Sequence, residues 1–533
     1  MLLVDLPSDI LELICGELDA HSAVACGRVC KRLHHIITTS LPVRYTIALA
    51  MRGMRPGNNE SIDIGERLKL LERYEAAWLE GHWKKSFRIT LPEPMAFVNH
   101  PAGKFHVHHA DGYLLTWDLA TGQVHVVRLP SPLRGITLEE HHWQFTSPPD
   151  PHRLRTEVLL DAQNDTVVFV EVAFVGQHSD PGRYQRVTLR PFDLSSGNVA
   201  ESILPNESIV LVENNFFYTN FSLRNEFIIM RLEQPKHAGM GIVVYNWVTQ
   251  RKVMKHVAFI TFLDDTRIIA GFLRALEPGR DPYLRIYDLS ADGSARATHD
   301  LPLPTRPNFI ICGGSYMGRD CGYPSTYSGA YERAQYFSED DWAMIYLCTD
   351  AQEGKGWDTE ASYKFEMYVS TTELKRLVTE NAASTSPDTI TIPWSTWGHA
   401  AAIALDSVTA RFGKVVSDVA GSRNIRWDRS IGALWMHDCH PARVRRAIPN
   451  HKHLIKRDDI SDVGFLREDE LQQPSSPVAP RTLERVNYAF FLVGSDNKNT
   501  NYNAMLCGDV ILVQESEASD PYGLKAIVAY SLV

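Results

Sequence analysis

The feature that most limits the fold is a change of hydrophobic period near residue 86. Up to Gly81 the apolar residues recur at the spacing of amphipathic helices. From Ser86 onward short runs of aromatic and β-branched residues alternate with Gly, Pro, Asn and Asp turns. A helical amino-terminal part followed by an all-β body is therefore expected. Within the body one phrase recurs, an apolar strand ending in aromatic-Asp or aromatic-Asn, then a turn and a return strand. It stands at Tyr113–Gly122, Leu189–Gly197, Gly241–Lys252 and Leu284–Gly293, with less regular copies at Tyr363–Ser370, Ile431–Asp438 and Ala526–Val533. The steps between positions 118, 193, 246 and 288 are 75, 53 and 42 residues. A four-stranded propeller blade takes about 40–50 residues, so the longest step needs an insertion.

The body is accordingly expected to be a β-propeller of about seven blades, six being possible, over residues 86–533. A pair of β-sandwiches is the competing architecture, since irregular spacing also arises where no true repeat exists. In the propeller reading each phrase is the third strand and turn of a blade, its aromatic packed between blades and its Asp bonded to turn N–H groups. The apolar final strand fits a ring closed by pairing of terminal strands, which removes open sheet edges. Expected loop insertions lie at about 131–153, 313–329, 350–360, 381–388 and 467–481.

The first forty residues carry the most specific pattern. Leu6-Pro7-Ser8-Asp9 opens a helix in which Ile10, Leu11, Ile14 and Leu18 share a face, with Pro7 suited to its first turn. After the Leu18-Asp19 turn, Ser22 can cap a second short helix through Val24 and Ala25. A third helix is expected from about Val29 to Thr39, beginning Val29-Cys30-Lys31-Arg32-Leu33 and burying Val29, Leu33 and Ile36 or Ile37. A module this short sits below the size at which a domain usually folds unaided, so part of its apolar surface is expected to serve a partner. Pro42 and the Arg55–Asn59 run mark a loop, after which Asp63 caps a helix through Gly81 with Leu68, Leu71, Trp78 and Leu79 inward.

Residues 1–41 resemble an F-box, the helical module that docks proteins onto the Skp-type adaptor of a cullin-RING ubiquitin ligase. The helical linker at 42–85, with Arg67-Leu68-x-Leu70-Leu71 followed by Trp78, resembles the segment after the F-box in fungal F-box proteins, and the body resembles WD-repeat propellers. The resemblance implies that Leu6, Pro7, Ile10, Leu11, Ile14, Leu18, Val24, Val29, Cys30 and Leu33 are the F-box pattern positions, some facing the adaptor and some the module's own core. Ala23 departs from the pattern, standing where a larger aliphatic is usual, which implies a weaker grip on the adaptor.

Composition narrows the remaining classes. The formal net charge is −10, from 54 Lys and Arg against 64 Asp and Glu, which argues against a general nucleic-acid or anionic-membrane binder. Asp5 interrupts the apolar start at once, so no secretory signal is expected. Eight dispersed cysteines fit reduced thiols in the cytoplasm or nucleus.

Catalytic motifs are missing: the chain has no G-x-S-x-G, no phosphate loop, no H-E-x-x-H and no C-x-x-C. His106, His108 and His109, and the His437-Asp438-Cys439-His440 cluster, read as strand and turn residues, because neighbours on a strand face opposite ways. The Arg443, Arg445, Arg446 run and the acidic Glu339-Asp340-Asp341 read as solvated faces.

The expected function is a substrate-recognition subunit of an SCF-type ligase, with a Skp-type adaptor, through it a cullin, and an unknown target protein as partners. It is expected to need no cofactor and no metal, to have no catalytic residue, and to bind neither nucleic acid nor membrane. A propeller enzyme or small-molecule binder with a helical cap, and an F-box scaffold outside any ligase, stay open as alternatives.

Overall fold

The computed structural model describes residues 6–52, 54–57, 62–80, 83–96, 105–110, 112–118, 121–145, 153–161, 165–175, 184–199, 208–213, 217–233, 240–257, 259–272, 282–290, 294–303, 309–311, 316–317, 336–338, 344–353, 362–381, 389–405, 416–420, 423–428, 433–438, 486–491, 500–507, 510–517 and 523–532. Five helices come first: α1 (Ser8–Gly16), α2 (Ala20–Gly27), α3 (Lys31–Thr39), α4 (Leu41–Ala50) and α5 (Ile64–Glu80). Seven antiparallel sheets of four principal strands follow among the described residues.

Blade 1 holds Phe105–Ala110, Tyr113–Asp118, Gln123–Arg128 and Glu139–Gln144, in that spatial order. Blade 2 holds Arg153–Asp161, Thr166–Val175, Tyr184–Asp193 and Ser208–Glu213. Blade 3 holds Phe217–Arg224, Phe227–Glu233, Met240–Asn246 and Arg251–Val257. In blade 4, Phe259–Phe262, Arg267–Phe272, Tyr283–Leu289 and Ala295–Pro302 gain a parallel fifth strand, Ile390–Thr391. Blade 5 runs Phe309–Ile311, Met344–Glu353, Ser362–Ser370 and Ala402–Leu405, and blade 6 runs Val416–Ala420, Arg423–Asp428, Ala433–Asp438 and Val486–Phe491. Blade 7 joins the two ends of the body: Thr500–Cys507, Val510–Glu517 and Gly523–Leu532 accept Trp83–Ala96 as their outer strand. First strands of successive blades pack side by side, Phe105–Ala110 on Arg153–Asp161 and that on Phe217–Arg224, so each blade runs from the axis outward. This is a β-propeller whose ring is closed by one strand from before the blades, as the apolar final strand led one to expect.

All seven phrases fall in seven different blades, and six of them are third strands. In blade 1 the phrase is the second strand, Tyr113–Asp118, a correction to the expected register. The phrase works through its turn. Asp118 Oδ2 accepts from Thr121 Oγ1 at 2.8 Å, and Asn246 Oδ1 accepts from the N–H groups of Val248 (3.0 Å) and Thr249 (2.9 Å). Gly197 closes the blade 2 copy at φ +68°, where an added Cβ would lie 2.4 Å from the ring of Trp143 in blade 1. The turn's glycine thus seats the neighbouring blade's aromatic, and Trp143 Nε1 donates to the Leu194 carbonyl at 3.3 Å. Cores lie between blades as expected: Trp117 and Phe145 of blade 1 pack on Phe169 of blade 2, and Val127 and Leu129 of blade 1 on Leu512 and Ile527 of blade 7.

The structure corrects several expectations. Pro42 is no loop marker: it lies in the first turn of α4, where proline's missing N–H costs nothing. Residues 131–153, expected as an insertion, contain a short 3₁₀ turn (Pro132–Arg134) and the outer strand of blade 1. Asp350 to Glu353 continue a blade 5 strand, and Asn381 ends a helix.

Helical periodicity also returns within the body, as α6 (Thr371–Asn381) and α7 (Trp394–Ala401). Ser370 caps α6 by accepting from the Glu373 N–H at 3.3 Å, and Leu374, Leu377 and Val378 at helical spacing pack on Leu284, Ile286 and Leu301 of blade 4. Trp397 of α7, fully buried, donates to the Pro302 carbonyl at 2.9 Å. The 467–481 segment, the basic run at 443–457 and Glu339–Asp341 lie outside the described residues.

Candidate protein-docking face

The three helices of the amino-terminal module share their core with a fourth, α4. Leu11 and Cys15 of α1, Ala23 of α2, Leu33, Ile36 and Ile37 of α3 and Val43 of α4 form one core, with Leu6, Leu18, Cys30 and Ile47 packed at its margin. Three short helices cannot enclose a core, and α4 supplies the fourth wall.

Local chemistry sets the helix starts. Asp19, not Ser22, caps α2: its carboxylate accepts from the Ser22 N–H at 3.0 Å and from Ser22 Oγ at 2.6 Å, and these bonds hold its carboxyl below the usual carboxylate range. Helix α3 starts at Lys31 rather than Val29, with Cys30 Sγ accepting from the Leu33 N–H at 3.5 Å. Arg32 donates to the Leu6 carbonyl at 2.7 Å and to Ser8 Oγ at 3.2 Å, which pins the chain's entry into α1 to α3. No pattern of apolar spacing pointed to that role for Arg32.

The structure divides the ten pattern positions. Leu11 and Leu33 are buried, and Leu6, Leu18 and Cys30 are partly buried against the same core. Pro7, Ile10, Ile14, Val24 and Val29 face solvent; Val29, expected to be buried by the third helix, precedes α3 and has 71% of its surface exposed. Leu13 joins them at 68%, a residue the helical-face reading did not name although it stands three residues from Ile10, a neighbour on the helix surface. Helix α1 therefore buries one narrow edge, Leu11 and Cys15 at i and i+4, and offers Ile10, Leu13 and Ile14 outward. Covering such side chains contributes about 25 cal/mol per Å², on the order of 1–2 kcal/mol for each one that is two-thirds exposed. Ala23 is fully buried, so its departure from the pattern acts on the module's packing, not on the solvent-facing side.

Two devices join the module to the ring. Asp63 Oδ1 caps α5 by accepting from Gly65 (2.8 Å) and Glu66 (3.2 Å), and Leu68, Leu71, Tyr74 and Trp78 form its buried face. The side chain of Leu79 lies outside the described residues. Helix α5 packs on α4, on the Pro132–Arg134 turn of blade 1 and on the last strand of blade 7, and Trp78 meets Trp83 edge-on at 4.7 Å. Arg52, at the end of α4, forms a nearly buried ion pair with Glu75 of α5. Met54–Pro56 also pairs antiparallel with Tyr336–Ser338.

Elsewhere the sequence candidates stay apart. His106, His108 and His109 stand on the first strand of blade 1 opposite Trp117, Leu115 and Leu114, with His109 buried. His437 and Asp438 end a blade 6 strand, and residues 439–440 lie outside the described residues. No described helix is long and apolar enough to cross a membrane.

Residues 3–45 match the family described as F-box-like, the span of α1 to α3 with the first half of α4. No curated protein matches the chain. Among solved structures it is similar to the hydrazine synthase of Kuenenia stuttgartiensis (9% identity, covering 83% of this chain and 96% of that one, TM-score 0.35). It is also similar to the β-propeller domain of the Trilobed protease from Pyrococcus furiosus (7%, 82% and 94%, 0.34) and to the polysaccharide lyase Uly1 (9%, 84% and 99%, 0.41). At such scores these likenesses bear on neither activity nor ligand. The chain carries an F-box-like domain at its amino terminus and a propeller behind it.

Proposed function

We propose that the chain is the substrate-recognition subunit of an SCF-type cullin-RING ubiquitin ligase, its helical module docked on a Skp-type adaptor and its propeller holding a target protein. The observation that carries this reading is the apolar side chains left outward by α1, α2 and the connection after α2, with Ile10, Leu13, Ile14, Val24 and Val29 exposed inside a segment that matches F-box-like. Ubiquitin transfer falls to other subunits, and the chain acts in the cytoplasm or nucleus. The buried Leu68, Leu71 and Trp78 after the module support the fungal type of F-box protein. Helix α5 is the strut of this arrangement: seated on blades 1 and 7, it sets the distance from adaptor to target.

The test replaces Leu13 and Val29 together by Asp. Both side chains are mostly solvent-exposed, so circular dichroism and thermal unfolding stay unchanged, while co-purification with the adaptor is lost. Undiminished co-purification would sink the docking assignment. An adaptor complex that never contains a cullin would favour the scaffold role.

A further inference from the structure

We propose that His125, Glu140 and His142, on the outer hairpin of blade 1, form a binding site for a divalent transition metal, with Zn²⁺ the best fit. Gln123–Arg128 and Glu139–Gln144 are paired so that His125 lies directly opposite His142, and Glu140 stands two residues along, opposite Val127. The period of two puts all three side chains on one face of the hairpin. One potential ligand atom from each lies within 4.8 Å of the others. Both imidazoles turn the same nitrogen toward one oxygen: Glu140 Oε2 is 2.9 Å from His125 Nε2 and 3.9 Å from His142 Nε2. A tetrahedral zinc with ligand bonds of 2.0–2.2 Å holds its donors roughly 3.4 Å apart, so the donor set is close to the needed size. Two imidazoles and a carboxylate are also the ligand types of open zinc sites, with water in the fourth position.

The rings of His125 and His142 stack at 4.1 Å and 12°, so their nitrogens run side by side; a shared ion requires one ring to turn. His142 is the ring to turn, since its side chain is 67% exposed and its swing displaces only water. Charge favours a cation: Arg128 is engaged at 2.7 Å by Glu139, on the opposite face, which leaves the charge of Glu140 met by imidazoles among the described residues.

The location gives the ion a structural role. The outer strand is the edge of blade 1, and the connection between the two strands is the Pro132–Arg134 turn on which α5 rests. An ion held by both strands staples the hairpin and stiffens the seat of the strut.

Titration of the full-length chain with Zn²⁺ by calorimetry, and with Co²⁺ by its visible absorption, tests the site. The expected result is one equivalent bound with the absorption of a four-coordinate ion, at least tenfold weaker binding in His142→Ala and in Glu140→Gln, and a zinc-dependent rise in unfolding temperature that both variants lack. Because His142 is largely exposed, His142→Ala folds as the parent does. Absence of binding at micromolar metal, or binding undiminished in both variants, which would place the ion among other histidines and cysteines, overturns the proposal.

Discussion

Leu11 and Leu13 stand two residues apart on α1 and do opposite work. Leu11 is 1% exposed in the core of the module, Leu13 is 68% exposed on its outer side. Truncating Leu11 to Ala leaves a cavity among Cys15, Leu33 and Ile37 and is expected to cost about 2–5 kcal/mol. Leu13→Ala is expected to change stability by less than about 0.5 kcal/mol. Urea unfolding of the two variants, followed through the helical signal, checks the contrast; equal losses would mean that α1 is rotated from the orientation described. Both residues lie in the same leucine-rich helix, and a periodicity argument alone ranks them by stripe membership. That ranking placed Ile10, Leu11 and Ile14 together, although Leu11 points inward and its stripe partners outward.

At the scale of elements, the recurring phrase is a turn that receives a neighbour. Gly197 lies in the left-handed region, with Trp143 of the adjoining blade where its Cβ would be. Gly197→Ala therefore combines backbone strain with displacement of a packed ring, and an expected cost of about 1–3 kcal/mol follows. Chemical denaturation read by tryptophan fluorescence measures it. The strand phrase was legible because alternation, aromatic-Asp endings and turn glycines are local properties. Helix α6 was equally local, with Ser370 and Glu373 at capping-box spacing and Leu374, Leu377 and Val378 behind them. It was overlooked because the surrounding β punctuation set the expectation for the whole body. Outer strands were harder to see: Glu139–Gln144, with Glu139, Glu140, His141 and His142, is polar enough to read as a loop, and only pairing to Gln123–Arg128 makes it a strand.

For the whole molecule, the decisive joint is Trp83–Ala96, which begins a few residues after the strut ends and closes blade 7 by pairing with Gly523–Leu532. Ser531, fully buried, adds a bond from its hydroxyl to the Pro130 carbonyl at 2.6 Å, tying the closing blade to blade 1. A chain beginning at residue 62 keeps strut and closing strand, and is expected to retain the ring's thermal transition while losing the adaptor. A chain beginning at residue 97 lacks the outer strand of blade 7, and the unpaired edge of Gly523–Leu532 is expected to lower the transition and drive association. Differential scanning calorimetry with light scattering on the two chains separates these outcomes, and an unaltered transition in the shorter one would contradict closure by this strand.

The amino-acid sequence by itself determined what depends on near neighbours: the helical start, the switch to β period near Ser86, the repeat of seven phrases and the F-box pattern from Leu6 to Leu33. Tertiary structure alone decided which apolar residues of that pattern face inward, that α4 completes the module, that Asp19 rather than Ser22 caps α2, and that His125 meets Glu140 and His142. The reason is physical. Spacing along the chain sets which side chains share a face, but whether a face is buried, and what stands opposite it, depends on segments as far apart as Trp83 and Leu532.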